Sequence, residues 1–157
     1  MGNIFSGSEI IELGIQIEKN GRDFYSTLTA NSKTESSRGV FLKLAGEEEK
    51  HIAVFQGMLE KTGSNEINQP YSDEYNAYLQ ALVSETVFTQ EDQGRQIAAK
   101  VKSEKEAIDL GIGFEKDSIL FYQGIKKAVP EYDHKVIDEL ILQEQRHLSL
   151  LRELKNK

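Results

Sequence analysis

Residues 6–25 read SGSEIIELGIQIEKNGRDFY, and residues 103–122 read SEKEAIDLGIGFEKDSILFY. Aligned at an offset of 97 residues, the two segments are identical at ten of their twenty positions. Ser6 and Ser103 each stand three residues before a Glu, which is the pattern of a capping box at a helix start. Apolar residues then recur at helical spacing in both segments. The repeat predicts two copies of one long helix, each of which begins a half of the chain.

A second repeated pattern follows each of these segments. Glu48-x-x-His51 and Glu144-x-x-His147 stand 96 residues apart, and residues three apart on a helix lie on one face. The repeated long helix supplies one further Glu in each copy. One Glu from each of two helices, with Glu-x-x-His from two others, is the ligand set of di-iron and di-manganese carboxylate bundles. The predicted metal ligands are Glu18, Glu48, His51, Glu115, Glu144 and His147.

The Glu-x-x-His spacing alone is weak evidence, because a single such motif on an exposed helix face is usually solvated polar surface. Glu131-x-x-His134 shows the difficulty. His134 has no repeat partner, and it precedes His147 by about 20 Å along a helix, so it cannot share the site. The internal repeat favours metal binding, because all six predicted ligands keep their register in both halves of the chain.

The four predicted carboxylates also raise a question of charge. Arg22 lies four residues after Glu18 and could pair with it, but Glu115 has Ile119 at the matching place. Ionised carboxylates among aliphatic neighbours are costly unless they are paired or coordinated. Two divalent cations would balance four carboxylates and leave two neutral imidazoles as further ligands. The charge balance favours a dinuclear site.

Composition limits the other classes of function. The net charge of −7 argues against a nucleic-acid partner. The chain has no cysteine, which excludes disulfides, thiolate catalysis, iron–sulfur clusters and rubredoxin-type iron within it. No apolar run approaches the length of about 18 residues that a membrane-spanning helix needs. We therefore expect a cytoplasmic protein that binds neither nucleic acid nor membrane.

The periodicity predicts an all-α chain that forms a single domain over residues 1–157. Two antiparallel helical hairpins would form, because the turns within them are short. They would cover about residues 8–61 and about residues 103–156. A crossover of about residues 62–102 would connect the hairpins and carry two short helices. This long crossover favours a ferritin-like four-helix bundle over a simple up-down-up-down bundle.

The helix boundaries follow from capping and breaking residues. Ser6 and Ser103 begin the first and third long helices, Gly63 ends the second, and Pro130 follows the third. Thr89 is predicted to cap the second short helix. The predicted helices, in chain order, cover about residues 8–30, 36–61, 73–84, 90–101, 103–129 and 132–155.

The same periodicity predicts one inward stripe on each long helix. The stripe of the first helix consists of Ile11, Ile15, Glu18, Arg22 and Tyr25. The stripes of the other helices consist of Leu44, Glu48, His51, Phe55 and Met58; of Ile108, Ile112, Glu115, Ile119 and Tyr122; and of Leu140, Glu144, His147 and Leu151. Glu47 and Glu49, which flank a predicted ligand, are expected to be solvated.

The pattern Glu18-x6-Tyr25, Glu48-x-x-His51, Glu115-x6-Tyr122 and Glu144-x-x-His147 resembles the di-iron domain of the rubrerythrin family, in the ferritin-like superfamily. The resemblance covers nearly the whole chain. It implies two iron ions, or manganese in their place, with Glu48 and Glu144 as bridging carboxylates. It also implies that the other two glutamates are terminal ligands, and that each metal has one histidine.

The resemblance further implies an oxidoreductase that reduces hydrogen peroxide or dioxygen, as part of a defence against oxidative stress. Its electrons would come from an external electron-transfer protein such as a rubredoxin, and a homodimer is expected. Tyr25 and Tyr122 are candidate catalytic residues beside the metal ligands, although core packing with a buried hydroxyl explains them equally well.

Two departures from the family pattern bear on this function. The rubredoxin-like module is missing, as the lack of cysteine requires. Members of the family usually carry an extra Glu one turn from the third-helix ligand, whereas the flanking residues here are Ile112 and Ser118. Two alternatives therefore remain open beside the oxidoreductase. They are an iron-binding, ferroxidase-like protein and a non-enzymatic metal-binding bundle.

Overall fold

The computed structural model describes residues 5–62 and 72–157, and these residues form an all-α bundle. Its α-helices, in chain order, are α1 (Gly7–Asn31), α2 (Glu35–Thr62), α3 (Asp73–Glu85), α4 (Gln93–Ala99), α5 (Glu104–Ile125) and α6 (His134–Lys155). Short 3₁₀ turns at Lys126–Ala128 and Glu131–Asp133 connect the last two helices. The predicted helix stop at Gly63 lies outside the described residues.

The predicted capping residues begin both copies of the repeated helix. The hydroxyl of Ser6 accepts a hydrogen bond from the backbone N–H of Glu9, and the Glu9 carboxylate accepts one from the N–H of Ser6. Ser103 caps α5 through Glu106 in the same way. The Glu106 carboxylate, however, accepts its bond from the N–H of Lys102, one residue earlier than in a reciprocal capping box. Both helices thus begin where their N-terminal donors find side-chain acceptors.

Two antiparallel hairpins form the bundle, one made of α1 and α2 and the other of α5 and α6. They meet where α2 contacts α6 and where α1 contacts α5. Between them lies a core of aliphatic and aromatic side chains. The two halves pack in equivalent ways at Gly14 and Gly111, which the repeat relates. A Cβ on Gly14 would lie 3.0 Å from the ring of Phe55, and one on Gly111 would lie 3.2 Å from Leu151. Each glycine admits a large side chain of its partner helix.

The crossover returns along the bundle, with α3 against α5 and α4 against α1. The buried side chain of Asn20 on α1 binds the crossover through both the nitrogen and the oxygen of its amide group. Its Nδ2 donates to the carbonyls of Phe88 and Gln90, both at 2.6 Å, and its Oδ1 accepts from the N–H of Gly94 at 3.0 Å. Asp117, the repeat-related residue of α5, accepts from the N–H of Val87. Both copies of the repeated helix therefore hold the same stretch of crossover.

Helix α4 begins later than the sequence predicts, and Thr89 does not cap it. Asp92, with φ of 60°, is in the left-handed region, so a helix cannot run through it, and α4 starts at Gln93. Phe88 also has a positive φ, 71°, which is costly for an aromatic residue. Its ring is buried between Phe24 and Phe114, at centroid distances of 5.4 and 4.9 Å. This packing stabilises a turn that local sequence would not favour.

The predicted inward stripe is wrong in part for α1. Ile15 and Arg22 are only half-buried, whereas Ile17 and Phe24 are fully buried. The reason is that the crossover covers a second flank of α1, so that its buried face is wider than one stripe and turned toward α4. Ile112 and Ile119 of α5 are likewise partly buried. Every predicted inward residue of α2 and α6 is buried.

No helix in the described ranges combines the length and the apolar composition that crossing a bilayer requires.

We expect Asn20→Ala to reduce the free energy of unfolding by about 2–4 kcal/mol, because two buried backbone groups and one partly buried backbone group would lose their partner. Chemical denaturation followed by circular dichroism would measure the change. Lys19→Ala, on the exposed side of the same turn, is the control and should change the free energy by no more than about 0.5 kcal/mol. An equal, small effect of both substitutions would show that the crossover does not depend on Asn20.

Candidate metal centre

The residues that the sequence predicts as ligands lie together in the middle of the bundle. Each of the four long helices contributes at least one, and every one of them is at most 5% exposed. Helices α1 and α5 contribute one carboxylate each, while α2 and α6 each contribute a carboxylate and an imidazole one turn apart. These residues are Glu18, Glu48, His51, Glu115, Glu144 and His147.

The six side chains form two overlapping groups of four. Within each group, one ligand atom from every residue lies within 4.8 Å of the others. Glu48 and Glu144 belong to both groups. A further carboxylate and a histidine complete each group, namely Glu18 with His51 in what we call the first position, and Glu115 with His147 in the second position. The sharing of two carboxylates is what a dinuclear centre with bridging ligands requires.

Both imidazole rings direct Nδ1 toward the carboxylates. Nδ1 of His51 lies 2.9 Å from Oε1 of Glu144 and 3.4 Å from Oε2 of Glu18. Nδ1 of His147 lies 3.1 Å from Oε1 of Glu48 and 3.5 Å from Oε1 of Glu144. The two rings are nearly parallel, with an interplanar angle of 17° and a centroid distance of 5.7 Å. They therefore face the shared carboxylates from the same side of the site.

Tyr25 and Tyr122 hold the two unshared carboxylates across the bundle. The hydroxyl of Tyr25 on α1 donates to Oε1 of Glu115 on α5 at 2.7 Å. In the reverse direction, the hydroxyl of Tyr122 on α5 donates to Oε1 of Glu18 on α1. Both tyrosines are fully buried. The structure thus gives them a packing and orienting contact with the predicted ligands, while a part in redox chemistry stays a prediction.

The remaining polar atoms of the cluster have no hydrogen-bond partner among the protein groups that the structure describes. They comprise one oxygen of Glu18 and of Glu115, both oxygens of Glu48 and Glu144, and Nδ1 of both histidines. Buried polar atoms are rarely left unpaired, since each such atom costs about 1–3 kcal/mol. Carboxylate oxygen and imidazole nitrogen atoms that converge on one volume suit hard or borderline divalent cations. The cluster therefore fits a metal site.

The pKa values of the cluster show that its carboxylates are costly to ionise together without a cation. Burial, followed by repulsion from neighbouring carboxylates, raises the pKa of Glu48 and of Glu144 well above the usual range. Burial would lower the pKa of His51, but the charge of Glu18 and the contact with Glu144 raise it to about 11. Burial also opposes ionisation of Glu18, yet contacts with Glu48 and His51 bring its pKa below the ordinary value. The metal-free cluster must therefore hold protons that a bound cation would replace.

Several other residues that the sequence raised lie away from the cluster. Arg22 pairs with Glu49 at 2.8 Å and with Asp23 at 3.0 Å, so it does not neutralise Glu18. Glu49 is thus paired as well as exposed. The ring of His134 faces the carbonyl of Val129 at the start of α6. The Glu131-x-x-His134 motif accordingly makes no contribution to the site.

Two residues near the cluster differ from the sequence prediction. Glu47, which was expected to be solvated, keeps 26% of its side chain exposed and lies 3.7 Å from Lys50. Gln143 was not predicted at all, although its Oε1 lies 2.7 Å from Nε2 of His51. Nothing in the local sequence indicates this contact, because the repeat-related residue of Gln143 is Glu47 and the two are chemically different.

The metal-free protein should lose stability as the pH rises above about 4.5. The folded-state pKa values of Glu48 and Glu144 are raised from 4.5, and that of His51 from 6.5 to about 11. Over this range the folded chain therefore holds more protons than the unfolded chain, and the free energy of unfolding decreases with increasing pH. The shift of Glu18 has the opposite sign, but it acts below its ordinary pKa of 4.5.

Thermal unfolding in the presence of a chelator, between about pH 5 and about pH 8, would measure this slope. The control is a variant with both Glu48→Gln and Glu144→Gln, whose melting temperature should depend less on pH. A melting temperature of the metal-free wild type that rises or stays level over the range would contradict the expectation.

Comparison with known proteins agrees with this geometry. The chain is similar over its full length to a crystal structure from Thermotoga maritima, which has been proposed to be a ferritin-like diiron-carboxylate protein. The TM-score is 0.74 and the sequence identity 26%, and the match covers 100% of this chain and 99% of the other. No curated protein sequence matches significantly. The rubrerythrin family model matches residues 9–155. With the ligand pattern, the bundle and this match over most of its length, the chain belongs to the rubrerythrin family.

Proposed function

We propose that the chain is a di-iron oxidoreductase that reduces hydrogen peroxide or dioxygen with electrons from a separate donor. The observation that carries the proposal is the pair of overlapping ligand groups that share Glu48 and Glu144. Two shared carboxylates would hold two cations close together, which is the arrangement needed for a reaction that takes one electron from each. An isolated metal position would not favour such two-electron chemistry.

The donor set supports iron, with manganese as the other candidate. Carboxylate oxygen and imidazole nitrogen accept both metals, and there is no thiolate in the chain. Four carboxylates balance two divalent ions, and hard anionic oxygen ligands stabilise the ferric state relative to the ferrous state. Family membership and the description of the similar Thermotoga maritima structure as a diiron-carboxylate protein add further support for iron.

Bound as Fe(II), two iron ions would supply the two electrons that convert hydrogen peroxide and two protons into two molecules of water. The protein residues hold and shield the site where this occurs. Tyr25 and Tyr122 fix the orientation of the two unshared carboxylates by donating hydrogen bonds to them. The fully buried ring of Phe55 packs against the ring of Tyr122, at a centroid distance of 5.4 Å, and keeps bulk water from this tyrosine.

A groove between α2 and α6 reaches the outer side of the two histidines. This α2–α6 groove has a volume of about 820 Å³, and both His51 and His147 contribute to its wall. Hydrogen peroxide and dioxygen are far smaller than the groove. The four glutamates of the cluster do not line the groove, so the histidine side is the side on which the cluster lies nearest to solvent, and a small oxidant would have to pass the imidazole rings.

The proposal includes an external electron donor. Without cysteine, the chain cannot hold an iron–sulfur or rubredoxin-type centre. Within the described residues, the cluster at the centre of the bundle supplies the only groups of His, Asp and Glu side chains arranged to hold a metal. We therefore propose that the electrons arrive from a separate protein, with a rubredoxin as the candidate donor. The expected homodimer stays a prediction.

A second function, iron handling with ferroxidase-like chemistry, is favoured by Ser118. The extra carboxylate that is usual in the family would be expected about one turn from Glu115, and Ser118 occupies one of the two flanking places. This serine is fully buried, and its hydroxyl has no partner among the described residues. A chain without that carboxylate could oxidise Fe(II) and release Fe(III) rather than cycle with a reductant.

We expect the protein to bind about two metal ions per chain, and Glu48→Ala to leave little metal at either position, because both positions share Glu48. Elemental analysis after reconstitution with Fe(II) would measure the content. Glu131→Ala, in the unrelated Glu-x-x-His motif, should keep the wild-type content. Chelation should also lower the melting temperature of the wild type. Full metal retention by Glu48→Ala would overturn the shared-ligand assignment.

We expect hydrogen peroxide to oxidise the diferrous protein at least about tenfold faster than free Fe(II) in the same buffer. The measurement is anaerobic stopped-flow absorption in the near ultraviolet, with Glu131→Ala as a control that should match the wild type. Oxidation no faster than that of free Fe(II) would exclude the enzymatic function. Fast oxidation that a rubredoxin and its reductase cannot reverse would instead support iron handling.

A further inference from the structure

The two metal positions differ in how their histidines are held. His51 of α2 lies with Nε2 2.7 Å from the amide oxygen of Gln143 on α6. In the described part of the chain, Nδ1 of His147 has no hydrogen-bond partner, and the residue that corresponds to Gln143 pairs elsewhere. The repeat relates Gln143 to Glu47, which also lines the α2–α6 groove but pairs with Lys50. The two halves therefore contribute the same ligands, whereas the residues on the groove side of the histidines differ between the halves.

The contact with Gln143 determines which ring nitrogen of His51 faces the site. An amide oxygen only accepts hydrogen bonds, so Nε2 must carry the proton that it receives. In the neutral ring, Nδ1 is then left with a lone pair, and Nδ1 is the atom that faces Glu18 and Glu144. A metal-bound histidine commonly donates its other N–H to an acceptor of this kind, which fixes its tautomer and its orientation.

We propose that Gln143 is a positioning residue for His51, and that the first position therefore binds metal more tightly than the second and fills before it. The proposal rests on the proposed function, since it concerns the same centre. Ordering His51 before the metal arrives removes part of the entropic cost of binding at the first position. The ring of His147 is packed against that of His51 but has no such acceptor at Nε2 among the described residues, so more of its ordering would accompany binding at the second position.

The experiment is a titration of the metal-free protein with Mn(II), followed by calorimetry and by electron paramagnetic resonance. The wild type should bind in two steps. The spectrum of the first step should be that of an isolated ion, and the spectrum of the second step should be that of a coupled pair of ions. Gln143→Leu should weaken the first step by about 10–100-fold, the usual effect of losing such a partner. Gln143→Glu, which keeps an acceptor oxygen, should restore two-step binding.

Gln145→Leu is the matched control, because it makes the same change two residues along α6, at an exposed residue of the same groove. It should leave both steps unchanged. If Gln143→Leu leaves the first step within about twofold of the wild type, or weakens both steps equally, the positioning role is wrong while the metal centre stands. If the wild type binds neither Mn(II) nor Fe(II), the proposed function itself fails, and the proposal fails with it.

A spectroscopic measurement separates positioning from a general loss of stability. In the Zn(II)-loaded protein, which is diamagnetic, nitrogen-15 NMR should show His51 as the Nε2–H tautomer, with a proton protected from exchange with solvent. Gln143→Leu should remove this protection and leave the dispersion of the other amide signals unchanged. A protected Nε2–H of His51 in Gln143→Leu would show that another group holds the ring.

Discussion

The structure depends on the burial of four carboxylates in one small volume between four helices. Each is nearly or completely removed from water, and the shared pair, Glu48 and Glu144, cannot ionise together at low cost without a cation. An apolar core would be more stable at this place in the absence of metal. The arrangement becomes favourable when positive charge replaces the protons, so that the centre of the bundle is built for a ligand rather than for maximal stability.

The surrounding packing keeps these carboxylates in place by nearly symmetric means. Each tyrosine crosses from one hairpin to the other and binds a carboxylate of the opposite repeated helix, so the two hairpins are joined at the site itself. Gly14 and Gly111 bring the facing helices close enough for Phe55 and Leu151 to pack directly. The site is therefore held by contacts between elements that are distant in sequence, and a loss of packing between the hairpins would also be a loss of metal geometry.

The symmetry is broken where the two halves have different neighbours. The crossover lies against both copies of the repeated helix, and Asn20 and Asp117 bind it with different groups, an amide that bonds three backbone atoms and a carboxylate that bonds one. The pair Glu47 and Gln143 differs in a similar way beside the histidines. The duplicated ligands are thus surrounded by residues that differ between the two metal positions.

The sequence by itself determined the helical class, the two hairpins and the six residues that meet at the centre. These features are periodic or repeated, and a helix converts spacing along the chain directly into position on one face. Ser6 and Ser103 were predictable as caps for the same reason, since a cap depends on residues within one turn. The pattern Glu18-x6-Tyr25 and Glu48-x-x-His51, with its repeat in the second half of the chain, was enough to indicate the family.

Only the tertiary structure decided how the two halves use these residues. Helix α4 begins at Gln93 rather than at Gln90 because Phe88 is drawn into the core and Asp92 takes a left-handed conformation, and both depend on partners outside the segment. The buried face of α1 is turned toward the crossover for a similar reason. The bonds from Tyr25 to Glu115 and between His51 and Gln143 span 90 and 92 residues. Local spacing carries no information about such contacts, because they arise only when separate helices pack together.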